Sequence, residues 1–130
     1  MKYKPLTEKE EKTGRMIVDS AYTIHSRLGP GLLEQVYETC FCHELRKRGL
    51  NVRHQVAVPI VYDNVKFESA LRLDVIVEDL VICELKTVEK AHPLFHAQLL
   101  SYLKLTHLRL GYLINFHVPL IRDGIKRIIL

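Results

Sequence analysis

The stretch LRLDVIVEDLVICELKT, residues 71–87, limits what this chain can fold into more than any other. Two apolar segments flank the acidic pair Glu78-Asp79, and residues with strand preference dominate both. Alternate side chains of a strand share a face, so Glu84 and Lys86 project together with Leu80 and Ile82. Val81, Cys83 and Leu85 then face the other way. A strand buried on both faces should be almost wholly apolar. This one ends in a carboxylate and an ammonium, which must be paired, metal-bound or at the rim of a cleft.

The rest of the chain supplies the layers such a strand needs. Ile17, Ala21, Ile24 and Leu28 recur at helical spacing and predict a first helix over about Glu8 to Leu28, stopped by Gly29-Pro30-Gly31. The polar opening through Lys12 is expected to be loosely held, giving a frayed segment 1–13 ahead of one domain, 14–130. A second helix is expected from about Leu33 to Arg48, closed by basic residues and Gly49. Val52 to Tyr62 alternates as a strand, and Pro59 pushes it to a sheet edge. Asp63-Asn64 is a turn into Val65–Phe67, and strands follow at Ala70–Val77 and Leu80–Lys86. Pro93 opens a third helix to about Thr106, apolar over most of its surface and so expected to be buried. Strands at Leu108–Phe116 and Ile125–Leu130 flank the turn Arg122-Asp123-Gly124. A single α/β domain with a mixed central sheet flanked by helices is the natural packing.

Composition excludes several classes. The 130 residues suit one core, and 48% hydrophobic with 26% charged residues is globular composition. No apolar run reaches the roughly 18–20 residues of a membrane span, and the charged N-terminus lacks a signal-peptide core, so a cytoplasmic location without membrane contact is expected. Three cysteines without a C-x-x-C pair fit buried or free thiols. A net charge of +4 permits a nucleic-acid partner without requiring one.

The chemistry depends on how the two strands of residues 71–87 pair. A two-residue loop would set Val77 against Leu80 and Asp74 against Cys83, leaving Glu84 on the opposite face. A three-residue loop, 78–80, sets Val77 against Val81 and Asp74 across from Glu84. We expect the second. Two carboxylates then converge beside a lysine, and a divalent cation resolves their repulsion. Magnesium, a hard ion that prefers oxygen ligands, is the natural choice. It polarises a phosphoryl oxygen and lowers the pKa of a bound water, while Lys86 orients that water or offsets charge on phosphorus. The competing account is a structural ion pair, Glu84 with Lys86 or Asp74 with Arg72.

Asp74, followed ten residues later by Glu84-Leu85-Lys86, resembles the Asp…(Asp/Glu)-x-Lys core of the PD-(D/E)xK nucleases. GLLEQVY, residues 31–37, resembles the Gly-x-x-Glu-x-x-Tyr signature of the GxxExxY branch of that superfamily. HAQLLSYLKLTHLRLGYLINF, residues 96–116, and the closing GIKRI are similar to the same branch, so the resemblance spans about residues 14–130. It implies a restriction-endonuclease-like fold and a Mg2+- or Mn2+-dependent nuclease. It further implies Asp74, Glu84 and the Leu85 backbone carbonyl as metal ligands, Lys86 as the catalytic lysine and Glu34 as a further acidic ligand. Gln98 and Tyr102 resemble a Gln-x-x-x-Tyr motif of repair nucleases, and with Tyr37 they are candidates to bind or support substrate. Leu73 stands where the superfamily's name has proline.

Each of these has a plainer account. Glu34 near a helix start suits the helix dipole. Gln98 and Tyr102, four apart on one helical face, could serve local hydrogen bonds. His92 and His96 have zinc-ligand spacing but no third ligand. Lys104, His107, Arg109, Lys126 and Arg127 either line a phosphate path or are solvated surface. The expected activity is cleavage of DNA, or alternatively RNA, in repair, defence or mobile-element biology. So small a domain would take its specificity from a protein partner or a homo-oligomer. The alternatives are a catalytically silent nucleic-acid- or protein-binding module that keeps the fold, and a hydrolase of another phosphorylated substrate.

Overall fold

A computed structural model describes residues 4–130, and its turn after Val77 has three residues, not two. Val77 pairs with Val81, Ile76 with Ile82 and Val75 with Cys83, the register that sets Asp74 across from Glu84. Glu78 and Asp79 both take left-handed backbone, φ 57° and 50°, which lets the chain reverse over an odd-length loop.

The elements in order are α1 (Glu8–Leu28), α2 (Glu34–Lys47), β1 (Val52–Tyr62), β2 (Val65–Val77), β3 (Val81–Lys86), α3 (Pro93–Thr106), β4 (Leu110–Asn115) and β5 (Ile125–Ile129), with a short 3-10 turn at Ile121–Asp123. The strands lie in the order β1-β2-β3-β4-β5. Only β3 and β4 run parallel, and α3 makes the crossover between them. This mixed sheet with helices on both faces is a single small α/β domain of the restriction-endonuclease-like kind.

The alternation in β3 divides the core in two. Val81, Cys83 and Leu85 join Val75, Leu110, Tyr112 and Ile114 beneath α1 and α2, with Ile17, Tyr37, Phe41 and Leu45 from the helices. Ile82, Ile76, Leu113 and Ile128 meet Leu99 and Leu103 of α3 on the other face. Gly111 allows that second contact, because a Cβ there would lie 3.1 Å from Leu99.

Several expectations change. The opening segment is not loose as far as Lys12. Thr7 caps α1 through a reciprocal capping box with Glu10, and Glu10 and Thr13 are buried. Val65–Phe67 and Ala70–Val77 are one strand, paired with β1 across the two-residue Asp63-Asn64 turn. β1 is an edge strand whose register shifts around Pro59, as the lost donor there dictates. The third helix is not buried all round. Only Leu99 and Leu103 are covered, while Leu94 and Leu105 are 66% and 43% exposed, because α3 alone covers its face of the sheet. No helix among the described residues is long and apolar enough to cross a membrane.

Candidate active site

The β2–β3 ladder stops at Val75–Cys83 although both strands continue, and the candidate site lies where they part. Side chains take over there. The Leu85 amide donates to Asp74 Oδ2 at 2.9 Å, and the Asp74 amide to Glu84 Oε1 at 3.4 Å. The N–H and C=O of a strand residue point to the same side. The Leu85 carbonyl therefore faces Asp74 as its amide does, whereas the Lys86 carbonyl faces β4 and accepts from the Phe116 amide.

Glu84 is 5% exposed. Burial first, and the adjacent Asp74 charge second, push its pKa up from 4.5 to about 8, with Lys86 pulling the other way. Neither expected ion pair forms. Among the described residues no Lys, Arg or His is paired with Asp74 or Glu84, and Arg72 has no acidic partner. Lys86 Nζ instead sits 4.5 Å from the centroid of the Phe95 ring, at the start of α3. A small cavity beside it is lined by Phe95, Asn115 and Lys126. Asn115 is next to Lys86 in the parallel register and clamps the following loop, donating to the Val88 carbonyl at 2.8 Å and accepting from the Val88 amide at 3.1 Å.

Groups from both helical layers feel this pair of carboxylates. Glu34, first residue of α2, has a raised carboxyl pKa from partial shelter first and Asp74 second, with Lys86 opposing. Its residue surface is nonetheless exposed, so the shelter is local to the carboxyl group. Tyr102 on α3 has its hydroxyl pKa raised by burial, then by Glu84 and Asp74. Gln98, one turn earlier, is exposed.

Not every candidate converges. Among the described residues no group of three or more His, Cys, Asp or Glu side chains is arranged to hold a metal, so Glu34 does not complete a ligand cluster with Asp74 and Glu84. It starts a helix on one face of the sheet, close enough for its charge to be felt. Tyr37 is not at the site. It is fully buried, stacks on Phe116 at 4.6 Å, donates to the Gly29 carbonyl at 2.5 Å and accepts from the Leu32 amide, holding the Gly-Pro-Gly turn. His92 caps α3 by accepting from the Leu94 amide. Arg109 binds the Lys4, Pro5 and Leu130 carbonyls, and Arg127 pairs with Glu11, so neither lines a phosphate path.

Two site-side groups escape a sequence reading. Glu38, one turn beyond Glu34, is buried and accepts from Gln55 Nε2 at 2.8 Å and pairs with His54 at 3.3 Å. Its i, i+4 spacing from Glu34 was available as a signal. Phe95 under Lys86 left none beyond its place near the start of α3.

Two carboxylates sharing a sheltered gap suit a divalent cation. Their oxygens are hard donors, burial beside the Asp74 charge makes the Glu84 carboxyl hold its proton unusually tightly, and the Leu85 carbonyl faces the same gap. Comparison with known proteins gives one match: the family model described as the PD-(D/E)XK nuclease superfamily covers residues 11–128. No curated protein and no solved structure matches the chain.

Proposed function

This chain belongs to the PD-(D/E)XK nuclease superfamily, and from that premise we propose that it is a divalent-metal-dependent nuclease acting on DNA. One observation carries the reading beyond the family. Asp74 and Glu84 face each other across parted strands, and among the described residues no cationic side chain is paired to either. A pair of carboxylates meant to stabilise the fold would have a counter-charge as well as its backbone amides. This one is left to bind something else.

In this reading Asp74, Glu84 and the Leu85 carbonyl hold Mg2+ or Mn2+. When bound, the cation supplies charge neutralisation and Lewis-acid polarisation of the scissile phosphate. Lys86, on the same face as Glu84, donates a hydrogen bond to the attacking water or to a non-bridging oxygen of the phosphate. Phe95 shields the ammonium while it waits, and Lys126 across the small cavity adds a second cation beside the phosphate. Water adds to phosphorus and gives up a proton to solvent, the P–O bond to the leaving sugar oxygen breaks, and that oxygen takes up a proton from solvent, so the products are a phosphate end and a hydroxyl end. Tyr102 and Gln98 are placed along α3 to meet the nucleic acid, with Glu34 on the opposite side of the gap.

The test is cleavage of labelled single-stranded, duplex and flap DNA, and of RNA, with magnesium, manganese or chelator, beside a Lys86→Ala control. Metal-dependent cutting that the control loses is expected. Cutting that survives in Lys86→Ala, or in chelator, would overturn the assignment. Absence of both cutting and metal binding would leave a binding module with the nuclease fold.

A further inference from the structure

The β1–β2 ladder is broken at one place beside the candidate site. Pairs run Val52–Val77, Arg53–Ile76 and His54–Val75, then resume at Val56–Leu73, and the pair in between is Gln55 and Asp74. Gln55 has φ 50°, a left-handed backbone in the interior of a strand. Non-glycine residues rarely adopt it. The face of the partner strand changes at the same point. Leu73 and Ile76 are three apart and regular alternation would separate them, yet both pack into the cluster beneath α3. Asp74 itself turns out of the ladder, its carboxylate accepting from the Leu85 amide of β3.

The side chain of Gln55 supports the kink with one bond to α2. Its amide donates to Glu38 Oε1 at 2.8 Å, and His54 Nδ1 meets Glu38 Oε2 at 3.3 Å. Glu38 is only 9% exposed, and these two neighbours are its side-chain partners. Straightening β1 at Gln55 would pull the amide away from a nearly buried carboxylate. The same helix carries Glu34 one turn earlier, so the bond also fixes α2 relative to Asp74.

We propose that Gln55 is a positioning residue: its left-handed backbone, which the bond to Glu38 supports but does not create, opens the β1–β2 ladder and turns the Asp74 carboxylate toward Leu85 and Glu84. The proposal deepens the nuclease reading and rests on it for its consequence in metal binding and catalysis. It does not rest on it for the geometry.

Gln55→Val and Gln55→Gly separate the backbone from the side chain. Both lose the amide, but a β-branched residue resists positive φ and glycine accepts it freely. Mn2+ affinity, measured by calorimetry, is expected to fall about 10–100-fold in Gln55→Val, as when a group supporting metal ligands is removed. Its kcat should fall on the order of 100-fold. Gln55→Gly should stay within about threefold of the wild type in Mn2+ affinity, since the kink survives without strain. A metal-independent readout is the amide proton resonance of Leu85. Asp74→Ala should displace it strongly in the wild-type and Gln55→Gly backgrounds and leave it in place in Gln55→Val. Equal displacement in all three backgrounds, or Gln55→Gly falling as far as Gln55→Val in Mn2+ affinity, would overturn the proposal. If the wild type binds no Mn2+, the nuclease reading fails, and the Leu85 resonance alone decides the role of Gln55.

Discussion

Replacing Glu84 by glutamine should stabilise the metal-free protein, and by an amount that depends on pH. The carboxyl is 5% exposed with Asp74 beside it, and its pKa rises from 4.5 to about 8 on folding. Between those values the native state holds a proton that the unfolded chain has released. Stability is therefore full below about pH 4.5, falls as pH rises, and has lost this contribution completely once pH passes about 8. At ~1.4 kcal/mol per pH unit the ceiling is ~5 kcal/mol. Local relaxation and water entry reduce that to roughly 2–4 kcal/mol, still a large share of the ~5–15 kcal/mol that holds a domain together.

Glutamine has the same shape, carries no charge and can donate to Asp74. In chelator at pH 9 the variant should melt about 6–20 °C above the wild type, at roughly 3–5 °C per kcal/mol. Near pH 4.5 the two should coincide. Mn2+ at about 1,000 times its Kd should close the gap, since it adds ~4.1 kcal/mol to the protein that binds it. The assay is thermal melting followed by circular dichroism across pH 4.5–9, in chelator and in Mn2+. A Glu84→Gln variant less stable than the wild type at pH 9 in chelator would refute the reasoning. It would mean that the carboxylate is engaged in a stabilising contact after all.

Other outcomes follow from the same geometry. Asp74→Ala and Lys86→Ala should each abolish metal-dependent cleavage while circular dichroism and melting show an intact fold, and activity retained in both would remove the site. Phe95→Leu takes the ring from under the Lys86 ammonium, so single-turnover cleavage should slow by about tenfold with Mn2+ affinity unchanged, whereas an unchanged rate would show that the ring positions nothing. Tyr37→Phe keeps the stack on Phe116 but leaves the Gly29 carbonyl and the Leu32 amide without their partner. A loss of ~1–3 kcal/mol in urea unfolding is expected, with no change in Mn2+ affinity.

What the sequence made legible follows from what is local. Helix ends were marked by Pro93, Gly29 and Gly49, and the alternation in residues 81–86 told which side chains of β3 share a face. The hairpin register followed from the requirement that Asp74 and Glu84 meet, and a three-residue turn delivers it. What escaped depends on pairing between distant segments. Apolar residues all round α3 suggested burial, but whether a second layer covers a helix is a fact about neighbours, and among the described residues none does. The motif placed Tyr37 at the site because it ends the signature that holds Glu34. Three residues on is nearly one full turn, yet Tyr37 is buried against Phe116 while Glu34 is exposed at the start of the helix.

Gln55 is the sharper case, because nothing in its identity marks it. Between His54 and Val56 it continues an ordinary alternating strand, and glutamine is not a residue that advertises positive φ. Its backbone becomes intelligible only beside Glu38, which needs a donor, and Asp74, which must leave the ladder to reach β3. A regular β1–β2–β3 sheet would commit the Leu85 amide to a ladder bond with β2 and pair the Asp74 backbone with Gln55 of β1. The departure from regular pairing is thus a condition for bringing these two carboxylates together, and local strain is where such a condition is stored. Sequence patterns describe the regular parts of a fold, so the irregularity that makes a site is the part they leave out.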